Sequence, residues 1–489
     1  MNEPVTLPLW SLLLLAALAG WAALVLLLAP GMRWFFRRRI NAVLRQVGAS
    51  LQVELPSFKL TRRQVLIDRL FHDAKVQAAA AHQARAGGLS LAEVRRRVDR
   101  YAREIVPSFN AYLYFRLGYA LARGLARTLY RVRIGYVDQE ALARVDPQST
   151  IVFVINHRSN MDYVLVAFLA AERTALSYAV GEWARVWPLQ QLIRAMGAYF
   201  VRRNSGDPLY RAVLARYVQM AAEGGVTQAV FPEGGLSVDG RLRPPKLGLL
   251  DYMLKNFDGR PGGSGRDLVF IPVGLNYDRV LEDRTQLAKS AGAAQPRLGR
   301  ARGLAVALAF LGRNLWQMAL GRWHRFGYAC VNFGPPFSLR QYVREQELHF
   351  PDLDEAARHR EVSRVGERLM AGIAAVVPVL PVSLIASVLA AAAGQRLTAL
   401  ELKAAALDRA QRLAHQGAHL YLPRQDRDYA FEVGLRMLLL RGILREEDGL
   451  LSVVPEQRPL LTYYANAISH LVDQSEEHRA KGRPEPGAA

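Results

Sequence analysis

The chain has 489 residues, enough for a large core and two or three domains. Its 51% hydrophobic and 22% charged composition excludes a disordered or fibrous protein, and its single cysteine, Cys330, excludes an internal disulfide or a multi-cysteine metal or redox centre. The 64 Lys and Arg against 43 Asp and Glu give a formal net charge of +21, which attracts polyanions without choosing among nucleic acid, anionic lipid and an acidic carrier protein.

In chain order, the first element is an uncharged run over residues 9–28, with Ser11 its only clearly polar side chain. As a helix it would measure about 30 Å, the thickness of a bilayer's hydrocarbon core. Only Glu3 is charged before it, whereas Arg33, Arg37, Arg38 and Arg39 follow. That asymmetry puts the following chain on the cytoplasmic side of a membrane. A cleaved signal peptide would want a basic start and a shorter apolar run, so residues 1–50 read as an uncleaved membrane-associating segment with a basic flank.

Residues 51–132 read as a helical domain with no strand signal, and Ser90-Leu91-Ala92-Glu93 is a capping-box pattern opening one of its helices. Between 133 and 350 the texture changes. Short apolar or β-branched runs at 151–155, 229–231, 268–273 and 328–333 predict strands, and 209–223 predicts a helix between two of them. Strands alternating with helices imply an α/β domain with a largely buried sheet. Residues 351–475 read as helical again. Within them 371–394 is uncharged, but Pro378 and Pro381 interrupt it, so it reads as a buried element rather than a second membrane span. Residues 476–489 read as a disordered tail.

The first residues with chemistry are Asn156-His157-Arg158-Ser159-Asn160-Met161-Asp162, directly after a predicted strand. A His and an Asp five apart, where a strand turns into a helix, can meet side chain to side chain. The carboxylate would hold one imidazole nitrogen protonated and free the other as a base near neutral pH. Taken alone, the same spacing also fits a capping Asp beside a surface His. Three further segments follow: 197–203, an apolar run ending in Arg202 and Arg203; 231–237, a strand end carrying Glu233, Gly234 and Gly235; and 271–278, a buried strand opening at Asp278.

In this order, on strand ends, the four segments resemble the four sequence blocks of the glycerolipid acyltransferase superfamily. His157-Arg158-Ser159 with Met161-Asp162-Tyr163, the Arg202–Arg203 pair, and Pro245-Lys246-Leu247-Gly248 narrow the resemblance to its glycerol-3-phosphate acyltransferase branch. Weaker likenesses at 101–105, 333–336 and 378–384 extend it over about 51–393. Two departures stand out. Asn160 occupies a position where many relatives have a second His, and Leu236 and Val238 stand where relatives often have phosphate-gripping arginines.

The resemblance implies an α/β acyltransferase-type domain with helical regions on both sides. It implies transfer of a fatty acyl group from an acyl thioester to the sn-1 hydroxyl of glycerol 3-phosphate, the first step of phospholipid synthesis. His157 would act as base and Asp162 would orient it. Arg158, Ser159, Arg202, Arg203, Glu233, Gly234, Gly235, Arg241, Arg243 and Lys246 would bind substrate. Arg202 and Arg203 rank first for the phosphate, Glu233 would bind glycerol hydroxyls or brace its loop, and backbone N–H groups near the first block would meet the oxyanion. No metal or cofactor is implied; acyl-coenzyme A or acyl-acyl carrier protein would be the co-substrate. Lysophosphatidate or dihydroxyacetone phosphate remain alternative acceptors. The expected setting is the cytoplasmic face of a membrane with anionic lipids, in a bacterium the inner membrane. A nucleic-acid-binding protein would account for the charge, but the chain has no zinc spacing and no aromatic-basic interleaving, and nucleic acid is not expected as a partner. A noncatalytic basic membrane protein is the other alternative.

Overall fold

Eleven strands form among the described residues: β1 (Arg131–Val137), β2 (Thr150–Ile155), β3 (Ser177–Val180), β4 (Tyr199–Phe200), β5 (Gln228–Val230), β6 (Leu268–Tyr277), β7 (Tyr328–Phe333), β8 (Phe337–Ser338), β9 (Leu397–Thr398), β10 (Leu444–Glu447) and β11 (Leu450–Val453). The helices that matter below are α1 (Arg63–His72), α2 (Ala74–Gly87), α3 (Leu91–Ile105), α4 (Tyr119–Leu129), α5 (Met161–Ala170), α6 (Pro208–Glu223), α7 (Asp283–Ser290), α8 (Glu355–Val376), α9 (Pro381–Ala391), α10 (Ala399–His415), α11 (Arg427–Leu440) and α12 (Arg458–Ala465). This computed structural model describes residues 56–170, 175–181, 189–202, 205–260, 265–290, 326–392 and 394–473; the apolar run at 9–28, Arg203 and the tail at 476–489 lie outside the described residues.

The first eight strands make one sheet in the order β1-β7-β6-β2-β5-β3-β4, with β8 also on β6. β6, β2, β5, β3 and β4 run parallel, whereas β7 is antiparallel to β6 and parallel to β1. Side-chain alternation sorts the sheet's two faces. Val152 and Val154 of β2 pack with Phe270 and with α2, α3, α6 and α8. Ile155, Ala229, Val273 and Leu275 face the other way, against Val166 of α5. Both faces are covered, so β6 is buried along all ten residues, as a parallel-sheet strand should be.

The strands expected at 151–155, 229–231, 268–273 and 328–333 are present as β2, β5, β6 and β7. α6 spans the helix expected at 209–223, and Asp207 accepts hydrogen bonds from the N–H groups of Leu209 (2.9 Å) and Tyr210 (3.2 Å) at its start. Ser90 caps α3 by accepting from the N–H of Glu93. The apolar stretch at 371–394 is the end of α8, a break at the prolines, and α9, whose Val382, Ile385, Ala386 and Leu389 are buried in the protein. Among the described residues no helix is long and apolar enough to cross a membrane.

Two expectations are corrected. The region before 133 is not free of strand, because β1 begins at Arg131; its arginines alternate with Val132 and Ile134 on an edge strand whose outer side is exposed. Nor is the chain after 351 purely helical. β10 and β11 form a hairpin that pairs with β9. Asp448 (φ 53°) and Gly449 (φ 75°) make its turn, the left-handed pair that a two-residue hairpin needs.

Candidate active site

β2 ends at Ile155, and the chain must leave the sheet there. Asn156 caps that exit: its side chain donates to the carbonyl of Leu275 (2.9 Å) and accepts from the Leu275 N–H (2.7 Å), extending the β2–β6 ladder by one side chain. The loop that follows returns as α5, whose first turn carries Asp162. His157 Nδ1 lies 2.9 Å from Asp162 Oδ2, and both residues are buried. The same carboxylate oxygen accepts from the N–H groups of Arg158 (2.7 Å) and Ser159 (3.0 Å). Its other oxygen accepts from the Tyr277 hydroxyl (2.5 Å). Four groups thus surround one carboxylate. With Nδ1 held as the donor, Nε2 is the nitrogen left to take a proton. The imidazole is fixed by Phe231, stacked 4.2 Å away, and by Tyr163 against its edge.

Glu233 leaves the end of β5, next to β2. Its Oε1 accepts from the His157 N–H (2.8 Å) and its Oε2 from the Arg243 N–H (3.1 Å). Both oxygens are therefore tied to loop backbone, and the carboxylate braces the His157 loop against the loop that carries Arg243. Burial pushes the Glu233 carboxyl up to about 7, against the pull of those two N–H groups. Gly234 follows with φ +68°, and a Cβ there would come within 2.7 Å of Lys246 Cγ. The exposed Lys246 side chain therefore lies across the glycine, with exposed Arg241 and Arg243 on the same loop. Gly235 is buried.

Ser159 and Asn160 are held by Glu282, which the sequence did not single out. Its Oε2 accepts from Ser159 Oγ (2.7 Å) and its Oε1 from the N–H (3.2 Å) and amide (3.0 Å) of Asn160. The only signal for it is a carboxylate four residues past Asp278, where β6 opens into a loop. The next residue, Asp283, is bound by Arg441 (2.6 Å) and Tyr464 (2.5 Å) from the C-terminal helices. Arg158 faces the same helices: its Nη1 donates to the Gly240 carbonyl (2.7 Å) and its guanidinium lies over the Tyr463 ring.

Two expectations differ from this geometry. Arg202, at the end of β4, is three strands away from β2 and already forks onto Glu104, with Nε 2.9 Å and Nη2 2.5 Å from the two carboxylate oxygens. It also lies against the rings of Tyr101 and Tyr210. The backbone N–H groups of the first block are committed as well: His157 to Glu233, Arg158 and Ser159 to Asp162, Asn160 to Glu282, and Met161 and Asp162 to Ser159. Every backbone N–H from 157 to 162 is thus already partnered within the protein.

Residues 133–276 match the Acyltransferase family model, and residues 314–473 match the glycerol-3-phosphate acyltransferase C-terminal region. The glycerol-3-phosphate acyltransferase of Aeromonas hydrophila is 29% identical over 427 residues, which cover 84% of this chain and 50% of that protein. Both segments are thus similar to proteins of the glycerol-3-phosphate acyltransferase family. A second member, from Pseudomonas putida, is 28% identical over 428 residues, covering 84% of this chain and 49% of its own. The chain therefore spans about half the length of the curated relatives it matches. A solved 1-acyl-sn-glycerophosphate acyltransferase from Thermotoga maritima is 15% identical, with a TM-score of 0.30, over 60% of this chain and 93% of that one.

Proposed function

We propose that the chain transfers a fatty acyl group from an acyl thioester to the sn-1 hydroxyl of glycerol 3-phosphate, giving lysophosphatidate. The observation that carries this reading is the buried His157–Asp162 pair, 2.9 Å apart at the end of β2, in a segment that matches the Acyltransferase family model. Nε2 of His157 takes the proton of the acceptor hydroxyl as its oxygen attacks the thioester carbonyl. The tetrahedral intermediate collapses by breaking the C–S bond, and the imidazolium returns its proton to the departing thiolate. Asp162 keeps Nδ1 protonated and stabilises the imidazolium throughout. No covalent acyl-enzyme is needed, because the acceptor alcohol is itself the nucleophile.

The acceptor's phosphate falls to Lys246, Arg241 and Arg243, which lie on the loop that Glu233 ties to His157, rather than to Arg202. The donor is an acyl-coenzyme A or an acyl-acyl carrier protein, the latter suited to a basic surface. The uncharged run at 9–28 and the arginines after it support a place on the cytoplasmic face of a membrane, in a bacterium the inner membrane, beside anionic lipids.

One assay tests both the reaction and its base. The full chain is supplied with one labelled acyl thioester and, in turn, glycerol 3-phosphate, dihydroxyacetone phosphate and lysophosphatidate. Glycerol 3-phosphate is expected to be the preferred acceptor. His157→Ala is expected to lower turnover roughly 10²–10⁴-fold, the usual contribution of a positioned general base. A folded His157→Ala protein within threefold of the parent would remove the mechanism, and preference for another acceptor would reassign the substrate.

A further inference from the structure

At the opposite end of the parallel strands from His157 is a second concave site. Ser177 begins β3, Gly197 precedes β4 and Val226 precedes β5, so the N-terminal ends of three parallel strands form its floor. Its volume is about 530 Å³, within the roughly 300–1,000 Å³ range of small-molecule sites. Val226 is five residues before Phe231, the ring stacked on His157. At about 3.3 Å per extended residue the two sites are about 16 Å apart through the sheet.

The lining has one sign of charge. Lys59, Arg62 and Arg63 contribute to it, and no carboxylate does among its described residues. Lys59 is buried; its Nζ donates to the Ala175 carbonyl (2.5 Å) and lies 4.7 Å from the centre of the Phe109 ring. An ammonium has three donors, and the bonds described account for one of them. A Cβ on Gly197 would stand 3.5 Å from Nζ, so the glycine, at φ +88°, keeps the space beside the amine open. Arg63 is fixed by the carbonyls of Val106 and Arg103 at the end of α3, and Arg62 is exposed at the rim. Phe58, Phe109 and Tyr217 supply an apolar wall. Burial holds the Lys59 ammonium well below the usual lysine value, and an anion beside Nζ would favour the charged form.

We propose that this cavity is a second ligand site, distinct from the candidate catalytic pair, taking a phosphorylated amphiphile: its phosphate meets Lys59, Arg62 and Arg63, and its apolar part lies on Phe58, Phe109 and Tyr217. The headgroup of a lipid and free phosphate share the first half of that chemistry. Only the lipid uses the second half.

Calorimetric titration of the detergent-solubilised full chain separates the sources, with octyl phosphate, inorganic phosphate and octanol as probes. Octyl phosphate carries no glycerol, so the outcome does not depend on the acyl-transfer reading. Octyl phosphate is expected to bind at least tenfold more tightly than either of the others. Lys59→Met, which keeps an unbranched chain in the buried position, is expected to weaken it roughly ten- to a hundredfold, the worth of one charged hydrogen bond. Arg62→Ala, at an exposed position that does not threaten folding, is expected to weaken it severalfold. His157→Ala is expected to leave it unchanged. Equal binding of inorganic phosphate would assign the site to free phosphate and overturn the amphiphile. Octyl phosphate binding unaltered in Arg62→Ala and in a folded Lys59→Met would overturn the site altogether, as would its loss in His157→Ala alone.

Discussion

At the scale of single residues, His157 is held by groups drawn from three strand ends: Asp162 after β2, Glu233 after β5, and Tyr277 closing β6. The His157–Asp162 pair was legible in the sequence because five residues are enough to fix it locally. Tyr277 and Glu282 were not, because they reach the same loop from more than a hundred positions away and only the β2–β6 pairing delivers them. Arg202 illustrates the reverse: two adjacent arginines look like free phosphate ligands until Glu104 of α3 is brought against one of them. Lys246→Ala is accordingly expected to raise the KM for glycerol 3-phosphate roughly ten- to a hundredfold. Arg202→Ala should chiefly lower stability, and a larger KM effect from Arg202 than from Lys246 would return the phosphate to β4. Glu233 gives a pH signature. Its carboxyl is raised to about 7 in the folded protein from an ordinary 4.5, so the native state binds more protons than the unfolded chain between those values. Its contribution to stability is therefore most favourable at the acid end and declines as pH rises from about 4.5 to 7. Glu233→Gln should flatten that part of the curve of unfolding free energy against pH; an unchanged slope would contradict the burial assigned to it.

At the scale of elements, the loop after β6 is the joint between the sheet and the C-terminal helices. Glu282 holds the His157 loop, while the neighbouring Asp283 at the start of α7 is gripped by Arg441, one residue past α11, and by Tyr464 of α12. Arg441 and Asp283 are both nearly inaccessible, so removing one partner leaves the other charged and dry. Arg441→Met is expected to cost about 3–5 kcal/mol, read from denaturant midpoints, and to lower turnover by shifting Glu282. The double change Arg441→Met with Asp283→Asn should recover part of the stability, because no unpaired charge remains. A single variant as stable as the parent would show that the joint carries no such load. Elements with a strong local pattern, such as β2, β6 and α6, were readable in advance. β3 and β4 were not: four and two residues long, they owe their conformation to the neighbours that pair with them. The β10–β11 hairpin did carry a signal, the Asp448-Gly449 dipeptide before Leu450 and Leu451, and the helical texture around it masked that signal.

At the scale of the molecule, two family matches, 133–276 and 314–473, suggest two modules in series. The fold does not divide there. β7 belongs to the second match, yet it lies between β6 and β1 and completes the sheet of the first. Neither match alone holds a finished sheet: without β7, β1 loses its pairing partner and the antiparallel edge of β6 is bared. The stretch from 291 to 325 joins β6 and α7 to β7 covalently, but the hydrogen bonds that bind the two sides are those of the sheet itself. A chain with one peptide bond opened there should remain a single particle, its pieces held by the β6–β7 and β1–β7 ladders and by the Asp283–Arg441 clasp. Expressed separately, residues 1–290 should aggregate through the exposed strand edge; produced together with 326–489, they should co-purify and regain acyl transfer. Soluble, independently folded halves would mean the strand exchange is dispensable. In that sense β7 is less a border strand of one module than a tenon, cut from one timber and seated in the other.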